Sequence, residues 1–359
     1  MATEVKNYQC PSCTGPLQFS SESGKLGCEY CGESFEVETI ELLYAGKEQV
    51  ASNAASETEW DFNNEEWREE EAAHMKAYNC PSCGAQLICD DTTAATSCPY
   101  CSNPTILPGQ FTGILRPDFV IPFKKDKEAA KAALKNYYKG KKFLPKSFLA
   151  ENKLEEIKGI YVPFWLFDGR IDADIHYGAT KNRNYTQGNE KITVTEHYHI
   201  VRQGEIAFER VPVDGSTKMP DEHMDSIEPY DYLELVPFSS AYLPGYMANK
   251  YDVALSICSE RANERIRKTT EDTFNSTVTG YATLKTESSN ININAGEVKY
   301  VLLPVWILNT KWKGKDFLFA MNGQSGKLIG DLPIDKSKFL AWFLGISLPL
   351  MILLGIILF

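Results

Sequence analysis

Eight cysteines in two copies of one spacing, an uncharged C-terminal run, and a helix-and-strand pattern that occurs twice between them predict a multidomain chain. The predicted architecture is two small β ribbons, an α+β body of two related units, and one C-terminal transmembrane helix. Ribbon one covers residues 1–44, an acidic linker or helix 45–76, and ribbon two 77–110. The body covers 111–334, with its units at about 112–215 and 230–334, and the terminal helix covers 339–359.

The cysteine spacing defines the ribbons. In the first, Cys10 and Cys13 are followed by fourteen residues and then by Cys28 and Cys31. In the second, Cys80 and Cys83 are followed by fourteen residues and then by Cys98 and Cys101. Four thiolates close a tetrahedron around one Zn²⁺, so two structural zinc ions are expected. Each ribbon is too short to bury a self-sufficient core, and metal binding supplies the missing folding free energy. Pro11 and Pro81 fix φ after the first ligand of each set, while Gly32 and Gly84 let the backbone turn toward the metal. Leu17–Phe19 and Gln86–Ile88 read as short strands between the knuckles.

Disulfides would need an oxidising compartment, and no apolar signal segment follows Met1. A lone CxxC is compatible with redox chemistry, but four in ribbon register favour metal. Cys89 and Cys258 fall outside the pattern and read as small buried side chains. A site with four cysteine ligands has no open coordination position, which excludes a catalytic role for these ions.

Charge bears on what the ribbons touch. Residues 1–110 carry five basic and eighteen acidic residues, net −13, whereas residues 111–338 carry 32 basic and 30 acidic. A phosphate-binding surface needs clustered Lys and Arg. The acidic front end therefore reads as a protein-docking module; the alternative is a nucleic-acid-binding regulator or replication accessory protein. Within the linker, Trp60, Trp67 and His74 fall at helical spacing, either one aromatic edge of a short helix or part of a solvated acidic linker.

The body alternates helices and strands. Lys125–Lys139 reads as a helix, Ile160–Phe167 as a buried strand, and Ile171–Tyr177 as a half-exposed one. A second copy follows: a helix from Asp252 through Phe274, a buried strand Lys299–Leu308, and the pair Phe317–Met321 and Lys327–Gly330 across a turn. Pro163 and Trp165 align with Pro304 and Trp306, and a proline inside a strand predicts an edge or a bulge. The polar stretches Gly178–Lys191 and Glu287–Glu297 read as loops.

Lys338 is the last charged residue, and twenty-one uncharged residues follow it, Phe339 to Phe359. As a helix they span roughly 30 Å, the thickness of a bilayer core. Pro349 is tolerated in such a helix, Trp342 suits the interface, and Lys336 with Lys338 places residues 1–338 in the cytoplasm. The expectation is a single-pass, tail-anchored cell-membrane protein that meets the lipid bilayer through residues 339–359.

No catalytic constellation emerges. Asn322 to Lys327 resembles part of a phosphate loop, but only two residues separate its glycines and Leu328 follows the lysine, so a hairpin turn is expected. His197 and His199 set two imidazoles on one strand face with no third ligand evident by spacing, and they read as exposed strand residues. A non-enzymatic protein is expected.

Paired cysteine ribbons, the Tyr161-Val-Pro-Phe-Trp165 strand, the Asn322 to Pro333 segment and the apolar C-terminus together resemble the YdjG-type zinc-ribbon membrane proteins of Gram-positive bacteria, whose ribbons are of the TFIIB type. The resemblance implies a non-enzymatic membrane scaffold that recruits envelope-stress partners, including a PspA-type coat protein and an SPFH-type protein.

Overall fold

The computed structural model describes residues 115–358 except 152 and 153, together with 10–11, 17–20, 25–28, 32–37, 39–40, 60–62, 67, 69–90, 93, 97–104 and 106–109. Among the described residues the chain is mostly β, with fifteen strands and six α-helices. The α+β expectation for the body is corrected accordingly. Its two central strands are each 30 residues long, because the segments read as loops are themselves strand. Beyond Thr180 the first of these strands is exposed on both faces, so its sequence carries no buried–exposed alternation to reveal it.

Strands β1 (Leu17–Ser20), β2 (Lys25–Cys28) and β3 (Ser34–Phe35) form a three-stranded antiparallel sheet. The linker contributes β4 (Asp61–Phe62) and helix α1 (Glu69–Ala73). The second ribbon consists of β5 (Met75–Asn79), β6 (Gln86–Asp90) and β7 (Leu107–Gly109). All strands after β3 join one 12-stranded mixed sheet.

In the body a short strand, a helix and an antiparallel strand pair occur twice, the first time with a second helix. The first run is β8 (Phe119–Val120), α2 (Lys127–Tyr138), α3 (Lys146–Glu151), β9 (Lys158–Gln187) and β10 (Glu190–Asp214). Helix α4 (Asp221–Ile227) and β11 (Val236–Pro237) lead to the second run: β12 (Met247–Asn249), α5 (Leu255–Ser276), β13 (Thr283–Trp312) and β14 (Lys315–Asn322). Strand β15 (Leu328–Gly330) then pairs with β14. The long strands β9 and β13 run antiparallel along nearly their whole length. Each short strand lies parallel to the long strand of the other run, β8 beside β13 and β12 beside β9, so the halves exchange strands across the centre.

Pro163 and Pro304 occupy neither an edge nor a bulge. Each sits where its long strand changes neighbour. Strand β9 pairs with β12 up to Tyr161 and with β10 from Phe164, and β13 pairs with β8 up to Leu302 and with β14 from Val305. A residue's N–H and C=O face the same side of its strand, so the missing proline donor falls in the gap between partners. The carbonyl is still used: the Gly215 N–H donates to Pro163 O and the Gly323 N–H to Pro304 O, both at 2.8 Å.

Helices cover the sheet. Cys258, Ala262, Ile266, Thr270 and Phe274, every fourth residue of α5, are buried, and Ile266 and Phe274 share a core cluster with Ile171, Ile175 and Tyr177 of β9. Ala130 and Leu134 of α2 and Phe148 of α3 pack with Trp306 and Phe319. The linker's aromatic residues dock on the body: Trp60 on Phe167, Phe62 on Trp165 and Trp67 on Phe238, with ring centroids 5.0, 5.1 and 5.4 Å apart. Arg116 and Glu71 pair at 2.9 Å beside them.

The transmembrane helix, and with it the single-pass membrane placement, is also corrected. Among the described residues no helix is long and apolar enough to cross a membrane. Helix α6 (Lys336–Leu358) is present, with Pro349 inside it. The aromatic residues at its start meet the body: Phe143 lies edge-on to Phe339 and Trp342, at 5.7 and 6.4 Å, and the Lys142 ammonium lies 4.3 Å from the Trp342 ring. The Lys338 ammonium donates to Leu144 O at 2.8 Å, and Asp335 accepts from the Ser337 and Lys338 N–H groups at the helix start.

Candidate metal centre

Two knuckles bring four cysteines together. Cys80, Cys83, Cys98 and Cys101 place their sulfurs within 4.8 Å of one another. Cys80 and Cys101 are 3.5 Å apart, and Cys83 and Cys98 3.6 Å. A tetrahedral ion with metal–sulfur bonds of about 2.3 Å needs sulfurs about 3.8 Å apart, so small adjustments of these side chains seat it.

Each knuckle is closed by the same two backbone bonds. The Gly84 N–H donates to Cys80 O and the Cys80 N–H to Ala85 O, both at 2.9 Å. At the other knuckle the Ser102 N–H donates to Cys98 O at 3.0 Å and the Cys98 N–H to Asn103 O at 2.8 Å. The residue after the second cysteine must then adopt positive φ, 69° at Gly84 and 58° at Ser102. Glycine takes that conformation at no steric cost, but serine does not. Ser102→Gly is expected to stabilise ribbon two by about 0.5–1 kcal/mol, measured as a raised chelator concentration for half-loss of metal. A lowered one would show that the Ser102 hydroxyl, 3.5 Å from Asn309 O, outweighs the strain.

Without a cation Cys83, Cys98 and Cys101 compete for one negative charge. Cys101 is held low by hydrogen bonds from Cys83 and Cys98. Cys83 is pushed up chiefly by its hydrogen bonds to Cys101 and Cys98. Cys98 is pushed up to about 12, first by its bond to Cys101. A divalent ion removes the conflict, because its own charge holds coordinating thiols deprotonated. The donor set therefore fits a soft, tetrahedral metal. Cys89 and Cys258 stand apart, 0% and 1% exposed, and burial pushes their thiols up to about 11 and about 12.

For the first set the structure places Cys10 and Cys28, both buried. Cys13 and Cys31 lie outside the described residues. The Cys28 knuckle has the same closure: the Gly32 N–H donates to Cys28 O at 2.9 Å, the Cys28 N–H to Glu33 O at 2.8 Å, and φ at Gly32 is 75°.

The second ribbon is built into the body. Strand β6 pairs with β12, Ala248 against Ile88 and Asn249 against Leu87. Cys80, Leu87, Cys98 and Tyr100 share one buried cluster with Ile160, Val162 and Met247. The Lys158 ammonium donates to Ser97 O at 2.7 Å, and the Asn309 amide donates to Tyr100 O. The start of β9 and the end of β13 thus hold the Cys98–Cys101 knuckle. Sequence reasoning missed Lys158 and Asn309, because a lysine opening a buried strand and an asparagine near a strand end carry no signal of what lies across the fold. Between ribbon and strand ends lies a cleft of ≈ 510 Å³, lined by Cys98, Ser102, Lys158, Thr310 and Lys311 among others.

Fold and site together define a class: a mostly β protein whose four-cysteine ribbon is continuous with its principal sheet. The chain belongs to the YdjG family. It is 34% identical over 343 residues to a Bacillus subtilis (strain 168) protein described as "Uncharacterized protein YdjG", a match covering 96% of this chain and 94% of that one. No family model and no solved structure matches the chain.

Proposed function

We propose that the chain is a non-enzymatic docking scaffold whose ribbons, each held by one structural Zn²⁺, recruit protein partners. Zinc is favoured because a four-thiolate tetrahedral set suits it and leaves no position open for substrate. The observation that carries the docking role is the charge of the front end, net −13 over residues 1–110. A surface of that sign repels phosphate backbones and attracts basic protein faces. Anchorage of the second ribbon supports the same reading: a docking surface fixed to a sheet loses little freedom on binding. By family resemblance the partners are a PspA-type coat protein and an SPFH-type protein.

The test is a binding titration of the zinc-loaded full chain against a purified PspA-type protein and, in parallel, against duplex DNA at several salt concentrations. Saturable binding to the protein, lost in the Cys80→Ser, Cys83→Ser chain, is expected. Salt-dependent DNA binding with none to the protein would instead support the nucleic-acid-binding alternative.

A further inference from the structure

The face of the β9–β10 pair turned away from α5 holds a second cluster of metal-ligating groups, remote in sequence from the cysteines. His176 of β9 and His199 of β10 face each other with Nδ1 of the first 3.2 Å from Nε2 of the second. The far side of each ring meets a carboxylate: His176 Nε2 lies 3.1 Å from Asp174 Oδ1, and His199 Nδ1 lies 3.0 Å from Glu287 Oε2. Asp174 is itself fixed by a 2.9 Å bond from the Gln203 amide.

The hydrogens of the cluster leave one buried oxygen, Asp174 Oδ1, without a donor. A neutral imidazole carries one N–H. A carboxylate only accepts, so Glu287 takes the N–H of His199; Asp174 Oδ1, 3.1 Å from His176 Nε2, accepts no hydrogen bond, and His176 keeps its N–H on Nδ1, toward His199. One hydrogen bond then joins the facing nitrogens, and shifting that N–H to Nε2, beside the unpartnered Asp174 Oδ1, turns both into lone pairs 3.2 Å apart that a cation can take. Two nitrogens bound tetrahedrally to one Zn²⁺ at 2.0–2.1 Å stand about 3.3 Å apart. The outer carboxylates match the usual support of metal-bound histidines, in which the distal N–H donates to a carboxylate that fixes ring orientation and raises basicity.

The backbone is shaped for this contact. Glu287 is the extra residue at a register shift between Thr286 and Ser288 of β13, and a bulge re-aims its side chain across the sheet. It passes over Gly178, where a Cβ would stand 2.5 Å from Glu287 Oε1. Gly178 pairs with His199, so the glycine opens the path from Glu287 to that ring.

We infer that His176 and His199 form a binding site for a divalent metal ion that prefers imidazole, Zn²⁺ above all, oriented by Asp174 and Glu287. Two protein ligands leave the remaining positions to water or to a side chain of a docked partner. The site is independent of the cysteine ribbons and of the docking role.

The test titrates Zn²⁺ calorimetrically into the full chain at pH 7.5 with its cysteine sites already filled. One further equivalent is expected to bind. His176→Gln and His199→Gln should each weaken it at least about tenfold, and Glu287→Gln about 10–100-fold. His197→Gln should leave it unchanged, since His197 takes part in none of these bonds. In the unsubstituted chain, the ring resonances of His176 and His199 should shift together as that equivalent is added, a readout that does not depend on the variants folding. No further uptake, or uptake equal in the unsubstituted chain and all four variants with both rings unmoved, would mean that a shared proton alone joins the two imidazoles.

Discussion

Serine in place of Cys98 is expected to loosen the body as well as the second ribbon. The substitution removes one of four ligands, and structural zinc in small modules binds with apparent free energies on the order of 10 kcal/mol or more. That is comparable to the whole net stability of a typical domain. Three connections pass the loss inward. Strand β6 is paired to β12, which is paired to β9. Leu87 and Tyr100 share their buried cluster with Ile160 and Val162. Asn309 donates to Tyr100 O from β13. Amide exchange should therefore quicken at Ala248 and Asn249 of β12 as well as at Leu87 and Ile88 of β6, and the body's melting temperature should fall by several degrees. Exchange confined to residues 77–109, with the body's melting unchanged, would show the ribbon to be a separate unit.

Trp165→Ala should cost about 3–5 kcal/mol, the range for removing a large aromatic side chain from a core. Trp165 is 1% exposed, and its ring centroid lies 5.1 Å from Phe62, 5.2 Å from Tyr300 and 5.7 Å from Tyr251. These rings come from the linker, from β13 and from the segment after β12, so one cavity slackens three parts of the chain. The expected signature is a lowered melting temperature together with faster proteolysis within residues 45–76, where Phe62 loses the ring it packs on. A stability loss under 1 kcal/mol would mean that the neighbouring rings collapse into the space. Trp165→Phe, which also deletes a buried indole N–H with no hydrogen-bond partner, should be much milder.

The parts of the fold legible in the sequence are those written locally. Knuckle spacing depends on a few consecutive residues, so Cys80, Cys83, Cys98 and Cys101 could be grouped from sequence alone. Buried strands around Trp165 and Trp306 were legible because they are apolar throughout. The outer halves of β9, β10 and β13 were not: exposed residues such as Asn182, Asn184 and Thr186 follow no burial period, and only pairing with neighbouring strands makes them strand. Reading those stretches as loops also hid Glu287, and with it the contact to His199. His197 and His199 drew notice as neighbours in sequence, whereas His199 meets His176, a partner that only the β9–β10 hairpin supplies. The terminal helix was over-read: Trp342, assigned to a membrane interface, meets Lys142 and Phe143 of the body.

The central claim is that Cys80, Cys83, Cys98 and Cys101 close on one metal ion within the main sheet. Zinc-edge X-ray absorption on the full chain carrying Cys10→Ser and Cys28→Ser, dialysed to remove loosely held ions, tests it most directly. The account expects one retained zinc per chain with four sulfur neighbours at about 2.3 Å. A chain without retained zinc, or one in which these cysteines are joined as disulfides, would contradict it.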